Sequence, residues 1–184
     1  MTKNKTINIG AHSAQFADLN VKGEQMKIDG ESFYKISNVN GMRPFFMSIV
    51  SHSNHWMFIS STGGLSAGRK DCDSALFPYY TDDKITDSFE TTGSKSIFLV
   101  EKNSQTFLWE PFSMRHVSLY KISRNLYKNA FGNKVIFEEI NHDLEVSFTY
   151  EWNSTDRYGF VRKSLLSNAG TSQVKVQFID GIQK

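Results

Sequence analysis

A run of alternating residues constrains the fold of this chain more than any other feature. Residues 144–152 read LEVSFTYEW, with an apolar side chain at every even position and a polar one at every odd position. Successive side chains of an extended strand point to opposite faces, so all five apolar groups would share one face. A helix would spread them around its axis and leave no coherent face. The run therefore predicts a strand that is buried on one side, as in an antiparallel sheet.

Similar runs recur along the chain and are separated by turns rich in Gly, Asn, Asp and Ser, such as Asn40-Gly41. The runs cover residues 33–37, 44–50, 56–60, 97–101, 106–109, 117–122, 134–140, 158–166 and 173–179. About ten short strands with frequent turns predict an all-β fold, an antiparallel β-sandwich. We expect residues 1–184 to form a single domain, with residues 1–30 as an irregular lead-in.

Composition and charge narrow the classes of partner. A hydrophobic fraction of 39% with 15 Phe indicates a packed core. The 21 basic against 19 acidic residues give a net charge of +2, too weak a field to predict nucleic-acid binding. Cys72 is the single cysteine, so no internal disulfide is expected. Without a signal-like apolar stretch near the N-terminus or a run of about 18 apolar residues, we expect a cytoplasmic protein and no membrane partner.

The stretch STGGLSAGRKD, residues 61–71, has nearly the pattern of a phosphate-binding loop. Gly63 and Gly68 have the required spacing, but Arg69 and Lys70 stand where that loop needs Lys and then Ser or Thr. The acidic sequence DCD follows at the point where a helix N-terminus would receive phosphate. Nucleotide binding is therefore not predicted, and no cofactor is expected. A glycine-rich turn after a strand ending near residue 60 and a ligand-facing loop both stay open.

Residues 63–90 lack alternation and are predicted to form a long connection between strands, a kind of segment that often carries function. Aromatic and charged side chains gather there, and together they suit a polyhydroxylated ligand, since rings stack on sugars while charged groups bind hydroxyls. The candidate ligand-binding residues are Arg69, Asp71, Asp73, Tyr79, Tyr80, Asp82 and Lys84. The alternative is structural, with Phe77 and Tyr79 in the core and Asp82, Asp83 and Lys84 in a solvated turn.

Other reactive residue types give weaker signals. Asp71, Asp73, Asp82, Asp83 and Glu90 raise the question of a glycosidase carboxylate pair, but spacing within a loop cannot establish the required separation. His52 and His55 resemble half of a metal site without a third ligand nearby in sequence, and they are expected at a hairpin turn. Lys121, Arg124 and Lys128, with Tyr120 and Tyr127 adjacent to two of them, are expected on a solvated face. No catalytic or metal-binding residue is predicted.

Several of these stretches carry a resemblance to a known family. They are residues 33–38, WMFISS at 56–61, GGLSAGRKD at 63–71, FPYYTDDKI at 77–85 and FVRKSLLSNAGTSQVKVQFIDGIQ at 160–183. Together they resemble the N-terminal region of the large bacterial cellobiose-phosphorylase-like proteins. That region is a β-sandwich of the galactose-mutarotase-like type. The resemblance spans most of residues 31–183.

The resemblance implies a specific role. In that family a helical linker and a toroid of paired helices follow the sandwich, and the toroid carries the catalytic acid. The present chain, which lacks long helical periodicity, would then be a non-catalytic accessory β-sandwich cut from a longer glycoside phosphorylase or hydrolase. Its partners would be an oligosaccharide or a downstream helical catalytic domain. Because the family sandwich is longer, missing strands would leave an open sheet edge, which implies a homodimer.

Two other functions stay open. A free-standing sugar-binding module would expose aromatic side chains, with Trp56, Trp109 and Trp152 as candidates, although the alternation predicts that Trp152 packs in the core. A small aldose-epimerase-like enzyme would need a histidine and a carboxylate converging in one cleft. None of the histidines at positions 52, 55, 116 and 142 matches that family's pattern.

Overall fold

The computed structural model describes residues 5–16 and 19–184. Strands make up 54% of the chain and helices 9%. The strands are β1 Lys5–Ile9, β2 His12–Phe16, β3 Lys22–Ile28, β4 Glu31–Ser37, β5 Phe46–Ile49, β6 His55–Ser60, β7 Leu65–Arg69, β8 Gly93–Lys102, β9 Gln105–Trp109, β10 Ile122–Asn129, β11 Lys134–Asn141, β12 Val146–Thr155, β13 Gly159–Asn168 and β14 Lys175–Gln183. One α-helix, α1 Asp82–Asp87, and 3-10 helices at Val39–Gly41, Cys72–Ser74 and Ser88–Glu90 complete the described elements. The predicted all-β fold class is confirmed.

All pairings between the described strands are antiparallel. A six-stranded sheet has the order β13-β12-β11-β10-β4-β3, and two three-stranded sheets have the orders β14-β8-β9 and β5-β6-β7. β1 and β2 form a separate hairpin. The core contains buried side chains from the six-stranded sheet and from both three-stranded sheets. Phe98 of β8 meets Phe148 of β12 with ring centroids 5.0 Å apart, so the sheets stack face to face as in a sandwich.

The alternation that predicts β12 also explains its burial. Along β12 buried and half-buried positions alternate, with Phe148, Tyr150 and Trp152 facing the core. β11 follows the same pattern and adds Val135 and Phe137. The predicted core position of Trp152 is therefore confirmed. Strands also occur in the predicted runs at residues 33–37, 44–50, 56–60, 97–101, 106–109, 158–166 and 173–179.

The prediction of an irregular lead-in over residues 1–30 is wrong for the part that the structure describes. β1, β2 and β3 lie there, and β3 forms an edge of the six-stranded sheet through pairing with β4. Residues 1–4 and 17–18 lie outside the described residues. β3 is largely exposed and polar, so its sequence, KGEQMKI, carries little apolar alternation. A Cβ at its interior Gly23 would lie 2.0 Å from the Tyr34 hydroxyl, so a larger residue there would have to displace the exposed Tyr34 side chain.

The predicted long connection over residues 63–90 is interrupted by a strand. β7 is buried at Leu65, Ser66, Ala67 and Gly68, so both of its faces are covered and no alternation marks it. Of the two alternatives left open for this stretch, the structure shows the glycine-rich turn after residue 60, where Gly63 adopts φ +97° in the tight β6–β7 connection. The remaining connection, residues 70–92, holds α1 and two of the 3-10 helices.

The run at residues 117–122 is predicted as a strand but forms a turn, and the strand begins only at Ile122. β10 occupies the middle of the six-stranded sheet between β11 and β4. Four successive residues of β10, Arg124 to Tyr127, are buried, so its burial pattern does not alternate with a period of two.

Within residues 5–16 and 19–184, the helices are all too short or too polar to cross a lipid bilayer.

Candidate functional site

Four aromatic side chains lie side by side on the outer surface of the β5-β6-β7 sheet. In β6, Met57 and Ile59 are buried in the core. Trp56 and Phe58, at the alternate positions, therefore point to the opposite face, and both are partly exposed. Phe46 of β5 stacks on Phe58 with ring centroids 5.3 Å apart. The Trp56 ring lies 5.7 Å from Phe58 and 5.6 Å from Tyr79. We name Phe46, Phe58, Trp56 and Tyr79 the aromatic strip.

Trp56 is held in place by a close approach to β7. Gly68 is its cross-strand partner, and a Cβ added there would lie 2.5 Å from Cζ2 of the indole and 2.8 Å from the Ala75 backbone. The indole therefore occupies the space that any larger residue at position 68 would need. The indole Nε1–H donates a hydrogen bond to the Asp71 carbonyl oxygen at 3.2 Å. These contacts fix the ring while part of it stays exposed.

Tyr79 is carried by the segment 75–80, which is attached to β7. The Leu76 and Phe77 N–H groups donate to the Ala67 carbonyl oxygen, and the Ser66 hydroxyl donates to the Pro78 carbonyl oxygen at 2.7 Å. Phe77 packs against the core, as the structural alternative predicts. That alternative is wrong for Tyr79, which is 59% exposed and meets Trp56 edge-on.

The other predicted ligand-binding residues occupy two places. Arg69, Asp71 and Asp73 are exposed at the end of β7 and in the 3-10 turn that follows, and Arg69 lies opposite His55, so its side chain points to the other face of the sheet from Trp56. Asp71 contacts the strip through its carbonyl oxygen, while its carboxylate accepts a hydrogen bond from the Ser74 N–H at 3.1 Å. Tyr80, Asp82 and Lys84 lie farther along the chain, the last two exposed on α1. No hydrogen bond or ring contact among the described residues joins these three to the strip.

The acidic residues in this region lack the properties of a glycosidase pair. Asp71, Asp73, Asp82 and Asp83 are exposed. Burial of Glu90 raises its pKa, but hydrogen bonds from Lys95, the Met114 N–H and Ser113 outweigh burial and hold the pKa below its usual value. A general acid of this class needs a raised pKa. Glu90 is therefore an ionised structural carboxylate.

A groove of about 670 Å³ opens beside the aromatic strip, where the sandwich core ends. The β10 register places Leu126 opposite Phe137 and Lys128 opposite Val135, so Leu126 and Lys128 share the core face of the six-stranded sheet. Their partners on β4, Ile36 and Tyr34, lie on the same face. We name this space the β5 groove, since its other wall is Phe45, Phe46 and Met47. Phe46 therefore belongs to both the groove and the strip.

Lys128 is the half-buried cation of the β5 groove. Its ammonium donates to the carbonyl oxygens of Ser48 and Gly132. Burial lowers the pKa of Lys128 from its usual value. A bound anion would oppose that effect, because an opposite charge favours the charged form.

The predicted solvated face at Lys121, Arg124 and Lys128 is wrong for Arg124 and Tyr127, which are buried, and for Lys128, which is half-buried on the core face of the sheet. Arg124 is buried, and its Nε donates to the Glu139 carboxylate at 2.7 Å. Glu139 also accepts hydrogen bonds from the Trp109 indole at 2.8 Å and from the Phe112 N–H at 2.7 Å. This buried ion pair joins β10, β11 and β9. The sequence pattern does predict the burial of Glu139, because Glu139 follows Val135 and Phe137 at the alternate, core-facing positions of β11.

His55 and the tryptophans other than Trp56 are held by contacts within the protein. His55 Nδ1 is hydrogen bonded to Ser53, and the ring meets Phe160 edge-on at 5.4 Å. Trp109 and Trp152 are buried in the core, which leaves Trp56 as the exposed member of the three tryptophan candidates. In the part of the chain that the structure describes, no three His, Cys, Asp or Glu side chains are grouped as metal ligands would be.

No protein-family model matches this sequence, and a search of curated proteins finds no significant match.

Proposed function

We propose that this chain is a non-catalytic carbohydrate-binding β-sandwich that serves as the accessory domain of a carbohydrate-active enzyme, a glycoside phosphorylase or hydrolase. The observation that carries the proposal is the aromatic strip. Its four rings form a continuous row, with neighbouring centroids 5.3 to 5.7 Å apart, on the outer face of a sheet. A row of rings suits an extended oligosaccharide, whose sugar rings have apolar faces that pack on aromatic side chains.

The flank of the strip supports the same ligand class. Asp71 and Asp73 are exposed in the turn after β7, where the Asp71 carbonyl oxygen accepts the Trp56 indole N–H, and neither forms an ion pair within 4.0 Å with another described residue. The Asp71 carboxylate accepts one hydrogen bond, from the Ser74 N–H, and a carboxylate has further acceptor positions that can bind hydroxyls. Stacking on rings with hydrogen bonds at the edge is the arrangement expected for a saccharide that is held without being cleaved.

The contacts of the acidic and histidine residues favour binding over catalysis. Glu90 is held in its ionised form by Lys95 and two further donors. Among the described residues no histidine lies within 4.0 Å of a carboxylate, as an epimerase-like acid–base pair would require. The free-standing module remains the alternative, because it uses the same strip. Localisation in the cytoplasm stays part of the proposal.

Calorimetric titration with cello- and malto-oligosaccharides tests the proposal. We expect binding by the wild-type chain, about tenfold weaker binding by Tyr79→Ala, and a larger loss for Trp56→Ala, because a lost ring contact costs about 1 kcal/mol or more. Tyr158→Ala is the matched control, since Tyr158 is an exposed tyrosine on the β12–β13 turn. Equal affinities for all four proteins, or no heat with either series at millimolar sugar, would refute the proposal.

A further inference from the structure

We propose that the β5 groove is a second binding site, which takes a small amphipathic carboxylate with an alkyl chain. The first argument is the position of the groove in the fold. Tyr34, Ile36, Leu126 and Lys128 share the core face of the six-stranded sheet, so the groove is the end of the sandwich interior that the chain leaves unfilled. Its volume of about 670 Å³ is typical of a site for a small organic molecule.

The lining of the groove selects an apolar chain. The walls contain buried or half-buried side chains from facing elements, with Ile36 and Leu126 on one side and Phe45 and Met47 on the other. These side chains are packed against the hydrophobic core. Removing an alkyl chain from water against such walls is favourable in proportion to the apolar area that is covered.

The charges of the groove select a carboxylate head group. Lys27 and Lys128 are the charged residues that line it, and no Asp or Glu lines it. Neither lysine is within 4.0 Å of a carboxylate elsewhere in residues 5–16 and 19–184. Lys128 donates to two carbonyl oxygens, and an ammonium has three N–H donors, so one donor remains for an anion. A ligand with an alkyl chain and one carboxylate complements both features.

Titration of the purified chain with decanoate, octanoate, decanol and decylamine tests this inference by calorimetry. We expect decanoate to bind about tenfold more tightly than octanoate, because octanoate buries two fewer methylenes. Decanol should bind about tenfold more weakly than decanoate, since it lacks the charge-assisted hydrogen bond, and decylamine more weakly still. Equal affinity for the carboxylate, the alcohol and the amine would contradict the assigned head group, and absence of decanoate binding would overturn the site.

Three variants locate the site. Lys128→Met should weaken decanoate binding about tenfold, while Lys163→Met, which removes an exposed lysine on β13, should leave it unchanged. Ser32→Trp places a ring at a partly open position of the lining and should abolish binding without removing a core side chain. Circular dichroism checks that each variant is folded. Unchanged decanoate affinity in both Lys128→Met and Ser32→Trp would place the ligand elsewhere and refute the inference.

The groove and the aromatic strip can be tested separately. Trp56→Ala should lose oligosaccharide binding and keep decanoate binding, whereas Lys128→Met should do the opposite. Loss of both ligands in either variant would contradict two distinct sites. If cellohexaose competes with decanoate, the groove belongs to the saccharide site and the inference fails, while the proposed function stands.

Discussion

Replacing Glu139 by Ala is expected to lower the free energy of unfolding by about 3–5 kcal/mol, because the change leaves the buried Arg124 guanidinium without its counter-charge. The same change deprives the Trp109 indole N–H and the Phe112 N–H of their acceptor. Urea unfolding followed by circular dichroism measures the effect. The control is Glu101→Ala, which breaks the exposed pair with Lys175 and should cost less than about 1 kcal/mol.

A double variant separates the ion pair from simple loss of packing. Arg124→Met with Glu139→Leu removes both charges and keeps most of the side-chain volume, so we expect it to be more stable than the sum of the two single changes predicts. Additive losses would show that the two groups are not coupled. A loss below about 1 kcal/mol for Glu139→Ala would contradict the buried pair itself.

Replacing Phe98 by Ala is the second change with a large expected effect, a loss of about 3–5 kcal/mol. Phe98 is 1% exposed, and its ring lies 5.0 Å from Phe148 across the sandwich and 5.3 Å from Trp109 in its own sheet. Truncation therefore removes contacts that join β8 to β12 and leaves a cavity between the sheets. Urea unfolding again supplies the measurement.

The matched control for Phe98→Ala is Phe131→Ala, since Phe131 is 77% exposed in the turn between β10 and β11. We expect that control to change the free energy of unfolding by no more than about 0.5 kcal/mol. Similar losses for the two variants would contradict the stacking of β8 on β12, because an exposed phenylalanine and a core phenylalanine would then be equivalent.

The sequence predicts the fold class because the strands at the sandwich surface alternate. β12 is the clearest case, with Phe148 and Tyr150 inward and Thr149 outward. The pattern fails where both faces of a strand are covered, as in β7 and β10, and where an edge strand is largely polar, as in β3. In each case tertiary contacts replace the one-sided burial on which the period of two depends.

The site is predictable only in part, for a related reason. Asp71 and Tyr79 lie against Trp56, as a ligand-facing segment would need, but the sequence could not show that Phe46 and Phe58 complete the row. That row depends on the β5–β6 register, which sets Phe46 opposite Ser60 and Phe58 opposite Ser48. The sequence pattern wrongly predicts a solvated face for Arg124, because only the β10–β11 register brings its partner Glu139 opposite it.

The predicted homodimer remains a prediction. β14 pairs with β8 alone among the described strands, and its Phe178 and Ile179 are exposed. An edge of this kind can pair with another strand. The cellobiose-phosphorylase-like resemblance and a downstream helical domain likewise remain proposals.

The most direct test of saccharide binding at the aromatic strip uses the three indole N–H resonances in a ¹⁵N-correlated NMR spectrum. Trp109 and Trp152 are buried and act as internal controls, while Trp56 belongs to the strip. Titration with cellohexaose should move one indole signal, the one that disappears in Trp56→Phe, and leave the other two in place. If that signal stays fixed at millimolar sugar, or if the buried indoles shift instead, the strip is not a carbohydrate site.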